Sequence, residues 1–196
     1  PSNSFVDDPL DYDRPFAGYL FGEYGISRFY KTESMLKTSL QIGIIGPKSN
    51  AKELQGLIHD IYKFRKSEGW KYQIKEAFAV NASLSFVKLL SRNNSGHLDI
   101  SSYNDLTFGT VFTNIATGIY TRIGFEKLQE LFNTIGLNSN LGNSIKKESF
   151  IFLKPMLHYV LYDATIQGSF LNTGSPITFD VKPLHLSFEL GYKFAY

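Results

Sequence analysis

The chain has 196 residues, enough for one sizeable domain, and its 20 Lys and Arg nearly cancel its 18 Asp and Glu, leaving a formal net charge of +2. That balance lacks the strongly basic footprint of a nucleic-acid binder, and the absence of cysteine removes disulfide frameworks and thiolate metal sites. No stretch approaches the roughly 18 consecutive apolar residues that a membrane-spanning helix needs. Yet 17 Phe, 12 Tyr and one Trp favour strands and the boundary between apolar surface and water. A membrane β-barrel reconciles the two, because each spanning strand needs only about ten residues with every second one apolar.

In chain order, residues 16–30 are strand-like with mixed faces. Residues 36–46 place Leu36, Thr38, Leu40, Ile42 and Ile44 opposite Lys37, Ser39 and Gln41, the period of a strand. The next segment changes period: Ser49 or Asn50 can cap a helix in which Leu54, Leu57, Ile58 and Ile61 form an apolar stripe. A strand predicted over 70–86 begins with Trp70, Tyr72 and Ile74 opposite Lys71, Gln73 and Lys75, and 91–96 is dense in turn formers. Residues 98–113 are strand-like. Residues 115–125 then alternate Ile115, Thr117, Ile119, Thr121, Ile123 and Phe125 against Ala116, Gly118, Tyr120, Arg122 and Gly124. Between 127 and 148 a short helical pattern at 127–132 precedes an Asn, Gly and Ser-rich loop; 149–171 is expected as one long strand and 172–176 as a turn.

The closing segment, 184–196, is the clearest. Leu184, Leu186, Phe188, Leu190, Tyr192, Phe194 and Tyr196 share one face, against His185, Ser187, Glu189, Gly191, Lys193 and Ala195 on the other. The terminal aromatic resembles the assembly signal of outer-membrane barrels, which makes the barrel assembly machinery an expected partner. The fold class expected is therefore all-β: a single antiparallel transmembrane barrel domain over 1–196, with one short helix in an extracellular loop. Only seven or eight strands are visible, so the chain reads as the C-terminal portion of a longer protein whose full barrel has about 10–12 strands. If Tyr196 ends at the periplasmic side, alternation of direction makes 36–46 run outward and the connection 47–69 extracellular.

Few residues carry a chemical signal. Gln55 and His59 are four apart, one turn along the same helix edge, where a histidine can take a proton from water and an amide can orient a water or a carbonyl. Asp13 and Arg14 read as an ion pair or turn, and Gly69 with Trp70 as the start of a strand at the membrane interface. His97, His158 and His185 lie far apart with no ligand spacing and read as structural.

Five motifs occur in order along most of the chain: Asp13-Arg-Pro-Phe-Ala-Gly18, Ile42-Gly-Ile-Ile-Gly-Pro47, Gln55-x-x-x-His59, Gly69-Trp70-x-x-Gln73 and Tyr162-Asp-Ala-Thr-Ile-Gln-Gly168. Together they resemble the lipid A deacylase (LpxR-type) family of outer-membrane barrels. The resemblance implies calcium-dependent hydrolysis of the ester that carries the 3′-linked acyloxyacyl group of lipid A, with lipopolysaccharide and outer-membrane lipid as partners. It implies His59 as the catalytic histidine and Gln55 as its helical neighbour. The calcium ligands implied by the family lie on strands before this chain, so none is identifiable here. The chain departs from the family pattern in two places: Arg65 stands where a relative has a carboxylate six residues after the histidine, and the loop ahead of Asp13, basic in that relative, is acidic here with Asp7, Asp8 and Asp11. Those departures leave a second expectation open, a non-catalytic barrel that is porin-like or structural.

Overall fold

A computed structural model describes residues 13–65, 68–138 and 147–195; the acidic Asp7, Asp8 and Asp11 lie outside them. Seven strands form one antiparallel sheet in sequence order: β1 (Tyr19–Tyr30), β2 (Ser34–Ile45), β3 (Ala77–Arg92), β4 (Leu98–Gly109), β5 (Phe112–Gly124), β6 (Glu148–Asp163) and β7 (Leu184–Ala195). Each strand pairs with its neighbours in sequence; among the described residues β1 pairs only with β2, and β7 only with β6. Among the described residues no helix is long and apolar enough to cross a membrane.

The alternation read from the sequence is the alternation of the sheet. The outward face carries Tyr24, Ile42, Leu106, Ile119, Leu153 and the whole row from Leu184 to Phe194, all exposed, with Leu190 at 73%. The inner face holds the buried polar and small side chains, among them Asn81, Asp99, Ser101, Ala116, Tyr120, Arg122 and Glu148. A water-soluble sheet does the reverse. Small inner residues make room for large ones: a Cβ on Gly118 would stand 2.5 Å from the Met156 sulfur, and one on Gly191 2.6 Å from the Phe152 ring.

The sheet curls. A cavity of about 250 Å³ is lined by Ser27 of β1 and by Glu189 and Lys193 of β7, so the first and last strands face one another across the interior. The connection between β5 and β6 enters that interior at the end where β7 finishes. Leu128 and Leu131 are buried there. The helix expected at 127–132 is absent, because the main chain of this loop bonds to inner-face side chains instead of to itself. Gln129 N donates to Glu148 Oε1 (3.1 Å), Leu131 N to Glu33 Oε2 (3.2 Å) and Ile135 N to Glu148 Oε2 (3.0 Å). On β7, Lys193 Nζ donates to the carbonyl of Gly136 (3.0 Å).

The anchor of this loop is Arg122, wholly buried on β5. Its guanidinium donates to Asp99 through two nitrogens (3.0 and 2.6 Å), to Thr134 Oγ1 (2.6 Å) and to Glu148 (3.4 Å), while Arg92 bridges Asp99 to Glu33. Burying these charges is costly, but they satisfy one another, and loss of one partner would strand the rest.

Three strand boundaries differ from the sequence reading. Segment 98–113 contains the turn between β4 and β5, which Asn81 fixes by accepting from Val111 N (3.2 Å) and Phe112 N (3.1 Å). The long strand ends at Asp163 rather than 171: the Asp163 carboxylate accepts from Thr165 N (2.8 Å) and caps the short helix α2 (Ala164–Gln167), and Gly168 at φ +80° turns the chain away. No further strand follows before β7, so the direction count for 36–46 keeps its parity. The strand expected from Trp70 starts only at Ala77, since Gly69–Tyr72 form a 3-10 turn.

Replacing Asp99 by Ala takes two close bonds from the buried Arg122 and leaves Glu148, at the longer contact, as its only carboxylate partner among the described residues, and the expected loss is about 3–5 kcal/mol of stability. Urea unfolding of the detergent-solubilised protein measures it; a loss under about 1 kcal/mol, the range of an exposed pair, would contradict the anchoring role.

Candidate active site

The connection between β2 and β3, at the end opposite Ala195, carries the helix α1 (Ala51–Tyr62). Gly46 reaches φ +98°, and a Cβ there would stand 2.7 Å from the Glu76 backbone, so only glycine lets the end of β2 pass the start of β3. Asn50 at φ 57° precedes the helix, and Gly46 N donates to the Gly18 carbonyl (2.8 Å). A Cβ at Gly18 would lie 2.0 Å from Ser49 Oγ and 2.7 Å from Ala51 Cβ, so the first turn of α1 rests against bare backbone. Lys48 and Glu76 close the base with an ion pair of 2.6 Å. The glycines of two family-like motifs are thus the seat of the helix.

Gln55 and His59 lie on one half-buried edge of α1, as their spacing predicted. The neighbours of each fix which atom it presents. Trp70 Nε1 donates to Gln55 Oε1, and since the indole nitrogen can only donate, the amide turns its Nε2 donors outward from that contact. Trp70 is itself set edge-on to Phe16, with ring centroids 5.2 Å apart. A Cβ at Gly69 would stand 2.1 Å from that ring, and Ile74 N donates to the Phe16 carbonyl (2.8 Å). Trp70 therefore supports the site from a 3-10 turn, not from the strand start expected of it.

The imidazole of His59 is oriented by the main chain. Lys63, at φ 55°, ends α1 and turns the chain back; Phe64 N bonds to the His59 carbonyl (2.8 Å), and the Phe64 ring stands edge-on to the imidazole at 5.8 Å. The Arg65 carbonyl then reaches His59 Nδ1 at 2.7 Å. A carbonyl only accepts, so Nδ1 carries the hydrogen and Nε2 keeps its lone pair. The orienting group is a backbone oxygen that any residue supplies.

The remaining motif joins the same end. Arg14 Nη2 donates to Thr165 Oγ1 (3.1 Å), and Thr165 donates to Asp163 (2.6 Å), linking the first motif to the last across 151 residues. Beneath them Ile45, Ile74, Ala77, Ala79, Val111 and Ala164 form a buried apolar cluster. Nothing in the sequence pointed to the Arg65 carbonyl or to the Trp70 contact. Among the described residues no three His, Asp or Glu side chains converge to hold a metal ion.

Residues 1–196 match the family model described as outer membrane protein LpxR. Among solved structures the chain resembles LpxR from Salmonella typhimurium, with a TM-score of 0.73 at 20% identity, covering 93% of this chain and 63% of that one. The chain thus spans less than two thirds of the length of that relative, and the likeness establishes the barrel fold. No curated protein matches.

Because Trp70 is the one tryptophan in the sequence, its fluorescence reports this contact alone. Gln55→Leu is expected to shift the emission and to change acrylamide quenching; an unaltered spectrum would count against the Gln55 and Trp70 bond.

Proposed function

This chain belongs to the LpxR family of outer-membrane proteins, and on that footing we propose that it is an ester hydrolase of the lipid A deacylase type, with His59 as general base. The observation that carries the reading is the 2.7 Å bond from His59 Nδ1 to the Arg65 carbonyl, which leaves Nε2 as the basic nitrogen. Residues 1–196 are read as a single barrel domain. The Ala195 end is taken as periplasmic. The opposite end, with α1, then faces the outer leaflet, where lipopolysaccharide is the abundant ester. Leu54, Leu57, Ile58 and Ile61 are exposed on α1, an apolar stripe suited to acyl chains.

In the proposed reaction Nε2 of His59 takes a proton from water while the water oxygen attacks the ester carbonyl of the 3′-linked acyloxyacyl group. Gln55 Nε2 donates to the carbonyl oxygen as it gains charge. The tetrahedral species collapses with cleavage of the carbon–oxygen ester bond, and the imidazolium returns its proton to the departing alkoxide, giving a fatty acid and the lipid A alcohol. The Arg65 carbonyl holds Nδ1–H throughout, so the ring neither flips nor changes tautomer. Calcium would need several oxygen ligands. The described residues do not assemble such a set, and the steps above use protein groups alone.

Expression of the natural full-length protein, supplied with calcium, is expected to lower the mass of host lipid A by one acyloxyacyl group. His59→Ala should cut the rate by about 10²–10⁴-fold, the usual worth of a general base. Gln55→Ala should cut it by up to about 10²–10³-fold if its amide serves the oxyanion. Unchanged lipid A beside folded, membrane-inserted protein would refute the enzymatic reading and favour a non-catalytic barrel.

A further inference from the structure

The connection between β6 and β7 encloses a cavity of about 280 Å³ whose lining residues all fall between Tyr162 and Thr178. Two glycines in the left-handed region shape it, Gly168 at φ +80° and Gly174 at φ +81°. A Cβ at Gly168 would stand 3.2 Å from Thr178 Cγ2 and 3.3 Å from Ser175 Oγ, so those two side chains close over bare backbone. Asn172 Nδ2 donates to the Glu76 carbonyl (2.6 Å) and Lys75 N to Ser175 Oγ (3.0 Å), which fastens the connection to the residues just before β3. Glu76 is also the partner of Lys48 at the base of α1, so the cavity lies at the same end of the sheet as His59.

We infer that this cavity is a site for one neutral pyranose ring. Among the described residues no charged side chain lines it, so it offers a phosphate or a carboxylate no counter-charge. Its polar groups instead have hydrogen-bonding capacity to spare. Gln167 Oε1 accepts from Asp163 N (3.0 Å), which leaves both Nε2 hydrogens to donate, and Ser175 Oγ accepts from Lys75 N and keeps its own hydrogen. The hydroxyls of Thr173 and Thr178 have no protein partner among the described residues. A sugar hydroxyl is donor and acceptor at once, so a ring bearing several of them matches this mixed set. Phe170 adds an aromatic face: it is 58% exposed and tilts by 55° against Tyr162, with centroids 5.5 Å apart. Tyr162 holds it there, donating to the Gly168 carbonyl (2.9 Å) and accepting from Phe170 N (3.2 Å). The negative face of an aromatic ring attracts the C–H groups on one side of a pyranose. The volume falls just below the roughly 300–1,000 Å³ of ligand pockets in general, which suits a single ring. On the reading proposed above this end faces outward, and the ring at hand is one from the saccharide of lipopolysaccharide; that assignment of source, unlike the site itself, rests on that reading.

The test uses the natural full-length protein in a detergent without a sugar headgroup, with methyl α-glucopyranoside and methyl α-galactopyranoside as probes and saturation-transfer NMR as the readout. Transfer to the ring protons of at least one glycoside is expected, and inorganic phosphate should not compete. Thr173→Val and Thr178→Val should each weaken binding about three- to tenfold, the worth of one hydrogen bond, and the double variant should lose it. Thr178→Ser keeps the hydroxyl and should bind as the natural protein does. Heat-modifiable gel mobility identifies any variant that fails to fold, and Thr173→Ala or Thr178→Ala then replaces it. A second arm separates membrane-borne from free sugar: lipopolysaccharide should bind the natural protein more tightly than lipid A stripped of its saccharide, and the double variant should lose that preference. Equal binding of the two lipids beside transfer to a glycoside keeps the site and overturns its assignment to lipopolysaccharide. No transfer from the natural protein, or undiminished transfer from the folded double variant, would overturn the site. His59→Ala should bind the glycosides unchanged, so failure of the sugar site leaves the proposed hydrolysis standing, and failure of hydrolysis leaves the sugar site.

Discussion

A sheet that turns its apolar face outward must satisfy every polar group on the face that remains. In this chain that constraint falls most heavily on Arg122, a guanidinium with no exposure to solvent. It cannot deprotonate, so it must be matched by carboxylates. Asp99 and Glu148 match it, Thr134 fills a further donor, and the loop 125–138 is drawn into the interior to present its main-chain groups to the same carboxylates. The interior at the Ala195 end is thus built around the Arg122 cation, with Arg92 joined to it through Asp99. The curl of the sheet follows, since Lys193 on β7 and Glu33 beside β1 both reach that single loop.

At the other end the inner face carries apolar packing instead. Ile45, Ile74 and Val111 are fully buried there, and the loop that delivers Ile74 also delivers Trp70. None of the residues of α1 is buried. The helix is held by its termini and by its Gln55 edge rather than by its apolar stripe, which inverts the usual logic of an amphipathic helix on a protein surface. Bare backbone at Gly18 and Gly46 lets the helix sit close to the sheet, and the motifs that resembled a family are largely the residues of that seat.

The strands were legible because alternation is a local code: each inward or outward choice is written at its own position, as in Leu184 to Ala195 or Ile115 to Ile123. The predictions that failed concern segments whose main chain bonds to distant side chains. Residues 127–132 have a helical spacing of apolar groups, but Glu148 and Glu33 compete for their amides and win. Trp70 alternates like a strand residue, yet Phe16 and Gln55 hold it in a 3-10 turn. The Gln55 and His59 pair was readable from a four-residue spacing. What orients it was not, because a carbonyl such as that of Arg65 has no identity in a sequence.

The two ends of the sheet are thus furnished differently. Loop 125–138 lies on the inner face at one end and the Ile45 cluster packs at the other, with cavities of about 250 and 320 Å³ lined by inner-face residues between them. His59 stands on the rim. On the reading proposed above, an ester anchored in the outer leaflet would reach His59 from the side, along the exposed stripe of α1, while the interior serves as the rigid post on which that helix stands.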